Sequence, residues 1–244
     1  MFRFPKDSAQ IVKLLEEGVQ LPLAIKHYPS RGQTSVQELY QTKLGKLFLK
    51  RSSKRNHQEC QVNPKYGTLA EREYWAYRLA LFLKLNVPQL VLFDSYTTLQ
   101  QWLDFPDAHQ YSTSQGVMKF KTENIFDCTL FDWLSAQIDR HDANYLYDYV
   151  NSKIILIDSG HAFLKYDGTL PDYLKVFEIA YPRELTKKVF TPVFDIIQNL
   201  SMKKLIKLVP LKNEEEKEAL SNRLLSLKQV NCLIDLINLY RSKS

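Results

Sequence analysis

Residues 144–158, NYLYDYVNSKIILID, are two short runs of β-branched and aromatic residues parted by a polar turn near Asn151. That pattern predicts a β-hairpin. Its surroundings constrain the fold more than the hairpin itself. The preceding stretch DCTLFDWLSAQI has helical spacing, and most of the chain beyond the hairpin reads as helical too. In the closing segment EEEKEALSNRLLSLKQVNCLIDLINLYRS, an apolar stripe runs through Leu220, Leu224, Leu227, Ile234 and Ile237. Such a stripe reads as the core face of packed helices. The second half is therefore helices gathered around one hairpin.

The first half has a different character. DSAQIVKLLEEG predicts an opening helix with Asp7 or Ser8 as its cap and Gly18 as its end. Between there and Lys50 come two or three antiparallel strands, interrupted by the turn-forming YPSRGQTS, with the last strand running from Lys46 to Lys50. Residues 51–67, polar and holding Pro64 and Gly67, read as a basic loop. LAEREYWAYRLALFLKL then places Leu69, Tyr74, Tyr77, Leu81 and Leu85 at helical spacing before Pro88. QLVLFDSY and GVMKFK read as further strands. The expected class is α+β in two lobes, residues 1–121 with a hinge near 117–121 and residues 122–244. Trp75, Trp102 and Trp133 are expected to pack in the core or between lobes.

Composition narrows the partners. The 244 residues are 45% hydrophobic and 25% charged, as in ordinary folded proteins. A net charge of +6 favours anionic partners, and KLGKLFLKRSSKR gathers Lys43, Lys46, Lys50, Arg51, Lys54 and Arg55. No strong nucleic-acid signal accompanies them. The 3 cysteines are widely spaced, without zinc-ligand intervals, and do not suggest a disulfide framework. The N-terminus lacks an apolar secretory core, and no apolar run reaches membrane-spanning length, so an intracellular, soluble protein without a transmembrane segment is expected.

The polar groups around the hairpin suit phosphoryl transfer, which needs a carboxylate for the attacking hydroxyl, metal against the phosphates and a cation on their oxygens. Asp139 follows the helix LFDWLSAQI, and Asn144 lies five positions on, where the strand begins. Asp158 ends the second strand just before Ser159 and Gly160. A hairpin sets the start of one strand beside the end of its partner, so Asn144 and Asp158 should be neighbours, two oxygen donors fit for Mg²⁺ or Mn²⁺. Lys50 ends an alternating strand, and Glu73 or Glu71 on the next helix could pair with it. Gly32, Thr34 and Ser35 of SRGQTS could meet ATP phosphates, while Met118 and Phe120 of VMKF could meet the adenine.

LFDWLSAQIDRHDAN followed by ILIDSGHAF resembles the atypical branch of the protein-kinase-like fold, with its Asp-Arg-His-x-x-Asn and Ile-Asp-x-Gly motifs. That branch includes the phosphatidylinositol 3- and 4-kinases, the HipA-type bacterial Ser/Thr kinases and the secretory-pathway casein kinases. EYWAYRLALFLKLNVP is similar to the group's Glu-x-x-Ala-x-x-Leu helix, which selects Glu73 over Glu71. The resemblance spans roughly residues 30–163 and implies Asp139 as catalytic base, Asn144 and Asp158 as metal ligands, and Lys50 on the phosphates with Glu73 steadying it. Arg140 and His141 brace the loop, or His141 approaches the transferred phosphate. One glycine in the phosphate loop departs from the group. The implied activity is an ATP- and Mg²⁺- or Mn²⁺-dependent Ser/Thr protein kinase. A phosphoinositide or inositol-phosphate kinase and a nucleotide-binding pseudokinase are the alternatives. Ser52 and Ser53 are candidate autophosphorylation sites.

Overall fold

A computed structural model of the chain describes residues 2–23, 35–114, 122–165 and 191–241. The expected strand GVMKFK with the hinge at 117–121, the residues Gly32, Thr34, Met118 and Phe120, and the side chain of Ser35 lie outside the described residues. The architecture is α+β, and contacts divide it into two units. One is Met1–Tyr74 with Pro88–Asp104; the other is Trp75–Val87 with Phe105–Ser244.

In the first unit, α1 (Ser8–Glu16) is capped by Asp7, whose carboxylate accepts the Ala9 N–H at 3.0 Å. Strands β1 (Val19–Leu21), β2 (Ser35–Thr42), β3 (Gly45–Ser52), β4 (Leu90–Asp94) and β5 (Thr97–Gln101) form one antiparallel sheet in the order β1-β2-β3-β5-β4. The pleat sends Leu47 and Leu49 of β3 to one face, where they bury with Leu99 against Ile11 and Leu14 of α1. The same pleat sends Phe48 and Lys50 to the other face. In the β3–β5 register, Lys50 lies opposite Thr98. Strand β5 has no period-two signature in TTLQQ. Its ladder to β3 and β4, and the burial of Thr97, Thr98 and Leu99, make it a strand.

Residues 51–67 are not the expected loop. Arg51 and Ser52 complete β3, and α2 (Lys54–Glu59) comes at once after them. A capping box explains it: the Ser53 hydroxyl accepts the Asn56 N–H while the Asn56 side chain accepts the Ser53 N–H. A 3-10 turn at Pro64–Tyr66 closes the segment. Ser52 is buried, with its hydroxyl donating to the Tyr96 carbonyl at 3.2 Å, so it offers no accessible phosphoacceptor. Trp75 and Trp133 are core residues as expected, but Trp102 is exposed, bonding Asp104 through its indole N–H.

Helix α3 (Leu69–Phe82) belongs to the first unit through Tyr74 and thereafter to the second. Its last turns are tied there by Arg78 donating to the Lys207 carbonyl at 3.2 Å, and the Leu156 N–H donates to the carbonyl of Asn86 just beyond it at 3.0 Å. The second unit continues with α4 (Ala108–Ser114), α5 (Thr122–Ser135), the hairpin β6 (Tyr145–Asp148) and β7 (Lys153–Leu156), and then α6 (Pro192–Gln198), α7 (Met202–Leu208), α8 (Glu214–Leu227) and α9 (Leu233–Arg241). Phe126, Leu130, Phe131 and Leu134 of α5 form a buried stripe, and α5 packs on α8 and β7. The C-terminal apolar stripe is split between α8, where Leu220, Leu224 and Leu227 are buried, and α9. The Asp235 carboxylate accepts the N–H groups of Asn231 and Cys232 at 2.8 and 3.1 Å and starts the second helix.

One buried carboxyl leaves a pH signature in this unit. Asp127 on α5 accepts the Thr191 hydroxyl, while that hydroxyl caps α6 by accepting the Phe194 N–H. Burial pushes the Asp127 carboxyl up to about 6, with Thr191 opposing and Glu123 adding to the rise. A folded pKa above the unfolded one favours the protonated chain. The stabilisation is full below about 4 and is lost as pH rises through about 6. Asp127→Asn keeps the acceptor and removes the titration. Relative to wild type, it should gain about 1–3 kcal/mol in urea unfolding between pH 4 and 7. A constant difference across that range contradicts the assignment.

Candidate active site

Lys50 and Glu73 meet because of two periods. The strand period turns Lys50 to the sheet face opposite the α1-packed core, together with its cross-strand partner Thr98. The helix period puts Glu73 one turn beyond Leu69. Lys50 Nζ lies 3.7 Å from Glu73 Oε1, and the Thr98 hydroxyl donates to Glu73 Oε2 at 3.1 Å. Both charged groups are largely buried, their side chains 15% and 6% exposed. The ammonium is thus held extended on a carboxylate that is itself anchored, the arrangement required to present a cation to phosphate oxygens.

Glu71 has another task. Its carboxylate accepts the Thr68 N–H at 2.9 Å and the Thr68 hydroxyl accepts the Glu71 N–H at 3.1 Å, a capping box that starts α3. His57 adds a second constraint on the same helix end. Its Nδ1 is 2.6 Å from the Ser53 carbonyl and its Nε2 accepts the Leu69 N–H at 3.0 Å. The ring is buried, so both bonds are shielded from water. Ser53 directly follows the strand that carries Lys50, and Leu69 opens the helix that carries Glu73. One imidazole therefore fixes the strand end relative to the helix start.

In the second unit, the expected loop is organised by a buried guanidinium. Arg140 Nε donates to both oxygens of Asp132 on α5, at 3.3 and 3.1 Å, and Nη2 reaches Oδ1 at 3.2 Å. Nη1 donates to the Asn144 carbonyl and, at 2.7 Å, to that of Ile157, while Nη2 also bonds the Ser159 hydroxyl at 3.1 Å. Each candidate residue is thereby fixed to one point. Asp139 is covalently next to Arg140, Asn144 is held by its own carbonyl, and Asp158 comes directly after Ile157. Burial raises the Asp132 carboxyl and the Arg140 charge opposes that rise.

Further bonds set the side chains. Asn144 Nδ2 donates to the Asp139 carbonyl at 2.6 Å and faces its Oδ2 at 3.4 Å. Asn144 is buried, whereas the Asp139 side chain is 43% exposed and open to a reactant. His141 Nδ1 accepts the Ala143 N–H at 3.2 Å, so a neutral ring carries its proton on Nε2, 3.9 Å from Asp139 Oδ1. That separation is an ion-pair distance rather than a hydrogen bond. Asp158 adopts a left-handed backbone, φ 51°, and Gln137 Nε2 holds its carbonyl at 2.9 Å. A non-glycine residue kept in that region by bonds on both sides carries backbone strain of the kind found at working sites. Its neighbouring N–H also connects the strands: Ile157 donates to the Asn144 carbonyl at 3.3 Å.

So Lys50 is brought to Glu73, and Asp139, His141, Asn144 and Asp158 are gathered on one loop and hairpin. Among the described residues, no group of three or more His, Cys, Asp or Glu could hold a metal ion as a cage. Mg²⁺ takes one or two carboxylate or amide oxygens and completes its shell with water and phosphate, and Asn144 and Asp158 carry donors of that kind. Sequence reasoning did not single out Asp132, Thr98, Gln137 or His57. Asp132 is eight residues from Arg140 across a helix end, and His57 stands alone among polar residues; neither spacing has a pattern to read.

No protein family matches the chain, and no curated protein does. Among solved structures, it is similar to the crystal structure of a Helicobacter pylori proinflammatory kinase, CtkA, with 13% identity and a TM-score of 0.48 over 90% of this chain and 96% of that one. A likeness of that degree carries no weight for function.

Arg140→Met strands a buried carboxylate and should cost about 3–5 kcal/mol in denaturant unfolding. Adding Asp132→Leu should recover much of that loss, since neither charge then remains buried alone. Equal instability of the single and double variants contradicts an Asp132-centred pair.

Proposed function

We propose that this chain is an ATP-dependent phosphotransferase of the protein-kinase-like fold, acting on Ser or Thr hydroxyls of a protein. The observation that carries the reading is the Arg140 knot, which ties the residue after Asp139 to Asn144, itself bonded to Asp139, and to Ile157, the residue before Asp158. Asp139, half-exposed beside its buried neighbours, accepts the proton of the attacking hydroxyl. The Asn144 amide nitrogen is engaged by Asp139, which leaves its oxygen to serve with Asp158 as a ligand of Mg²⁺ or Mn²⁺. The ion, when bound, supplies positive charge against the phosphate oxygens. Lys50, extended on Glu73, contributes the second positive charge on the ATP phosphates. His141 orients Asp139 by its ring proton.

A second reading keeps these roles and changes the acceptor. Arg51, Lys54 and Arg55 are exposed directly after Lys50, which favours a phosphorylated head group such as a phosphoinositide or inositol phosphate. Purified protein with labelled ATP and Mg²⁺ or Mn²⁺, offered generic protein or phosphoinositide vesicles, separates the two. Label on neither acceptor and none on the chain itself leaves a nucleotide-binding module without turnover.

Asp139→Ala should lower turnover by roughly 10²–10⁴-fold through loss of the base. Because Asp139 is not placed on the nucleotide, ATP binding measured by calorimetry should persist. Unchanged turnover contradicts the assignment of the base.

A further inference from the structure

The basic run that the sequence advertises is largely paired. In the run from Lys43 to Arg55, four of the cations are neutralised: Lys43 by Glu17, Lys46 by Asp104, Lys50 by Glu73 and Arg55 by Glu59. Two other segments carry cations with no acidic residue of their own. Residues 74–93, which include the end of α3, and residues 196–213, which include α7, hold no Asp or Glu. Together they hold Arg78, Lys84, Lys203, Lys204, Lys207 and Lys212, as many cations as the net charge of +6 for the whole chain.

The end of α3 touches α7. Arg78 donates to the Lys207 carbonyl at 3.2 Å, and Lys204 Nζ sits 4.3 Å over the Phe82 ring. Lys84, Lys203, Lys204 and Lys207 are exposed. Two aliphatic side chains stand exposed among them, Leu81 at 42% and Ile206 at 39%. Leu81 is three residues from Arg78, so the two share one side of α3, and Lys84 follows just after the helix ends. Ile206 is three residues from Lys203, and α7 is anchored by buried Leu205.

We propose that this face of α3 and α7 docks on a bilayer surface containing anionic phospholipid. Lysines on flexible stems suit a fluid layer of head groups, where no fixed bidentate geometry is presented. The single arginine already spends a donor on a backbone carbonyl. A head-group layer accepts both the charges and shallow insertion of Leu81 and Ile206. A nucleic-acid backbone would leave those aliphatic groups without a role, and the Phe82 ring that could stack on a base is covered by Lys204. The proposal does not depend on the phosphotransferase reading, since none of these residues belongs to the loop or to the Lys50 pair.

The test uses the full chain in flotation with vesicles of phosphatidylcholine alone or with about 30% phosphatidylserine, at low and high salt. Retention on the anionic vesicles only, weakened by salt, is expected. Lys203→Glu with Lys207→Glu should reduce partitioning by ~10-fold or more, Ile206→Ser by less, and Lys65→Glu not at all. All four positions are exposed, and thermal unfolding of each variant checks that the fold is kept; Lys203→Gln with Lys207→Gln replaces the charge reversal if that variant unfolds. Equal partitioning to both vesicles, or unchanged partitioning of the charge variants, overturns the proposal. So does binding of a single-stranded oligonucleotide or a polyglutamate chain without vesicle binding, which would transfer the surface to that class of partner.

Discussion

The loop after α5 depends on the guanidinium of Arg140. Five N–H donors in a fixed plane can meet several acceptors at once, and here they meet a helix carboxylate, two backbone carbonyls and a serine hydroxyl. The carbonyls belong to residues at the mouth of the hairpin, before β6 and after β7. Fixing both ends of a hairpin to one planar group fixes the residues between and beside them, including the strained Asp158. A buried pair of this kind need not add net stability over apolar residues of the same volume, because desolvating two charges offsets their attraction. What an apolar pair cannot do is hold two carbonyls in register. The worth of Arg140 is therefore positional, and the core stripe of α5 supplies the packing around it.

The first unit solves a similar problem with weaker parts. Lys50 must be held and yet remain able to face a ligand, and a 3.7 Å contact to Glu73 does that where a closed fork would not. Precision comes from the carboxylate's surroundings instead. Thr98 anchors Glu73 across the ladder, the Thr68–Glu71 box fixes where α3 begins, and His57 ties that beginning to the end of β3. Each is a short polar bond at the end of an element. That is where backbone groups lack partners and one side chain has the most leverage.

Much of this was legible in the sequence wherever a period existed to be read. The hairpin, α1, α3 and α5 emerge from apolar spacing, and β3 from alternation in KLFLK. Strand β5 was hidden because its inward residues include two threonines, which composition counts as polar. Helix α2 was hidden because its six residues bury only His57, too little for an apolar stripe, and its Ser53–Asn56 box lacks the usual Glu or Gln. Asp139, Asn144 and Asp158 were readable as a set because the hairpin's own geometry brings its ends together. Asp132 was not, since its partner lies beyond a helix end where no repeat connects them.

The charges show the same limit from the other side. A cluster along the sequence is a statement about neighbours in the chain, but a field is set by neighbours in space. Lys43 and Lys46 look like part of a basic patch until Glu17 and Asp104 are found beside them. Arg78 and Lys204, more than a hundred residues apart, look unrelated until α7 is found touching the end of α3. A paired surface lysine contributes little at a distance because salt and its carboxylate screen it, whereas cations grouped on acid-free segments reinforce one another over a Debye length. Reaching for the partner of a basic protein therefore begins with subtracting the pairs, and in this chain the exposed lysines of α7 then stand beside the Lys43–Arg55 run as a second grouping of cations.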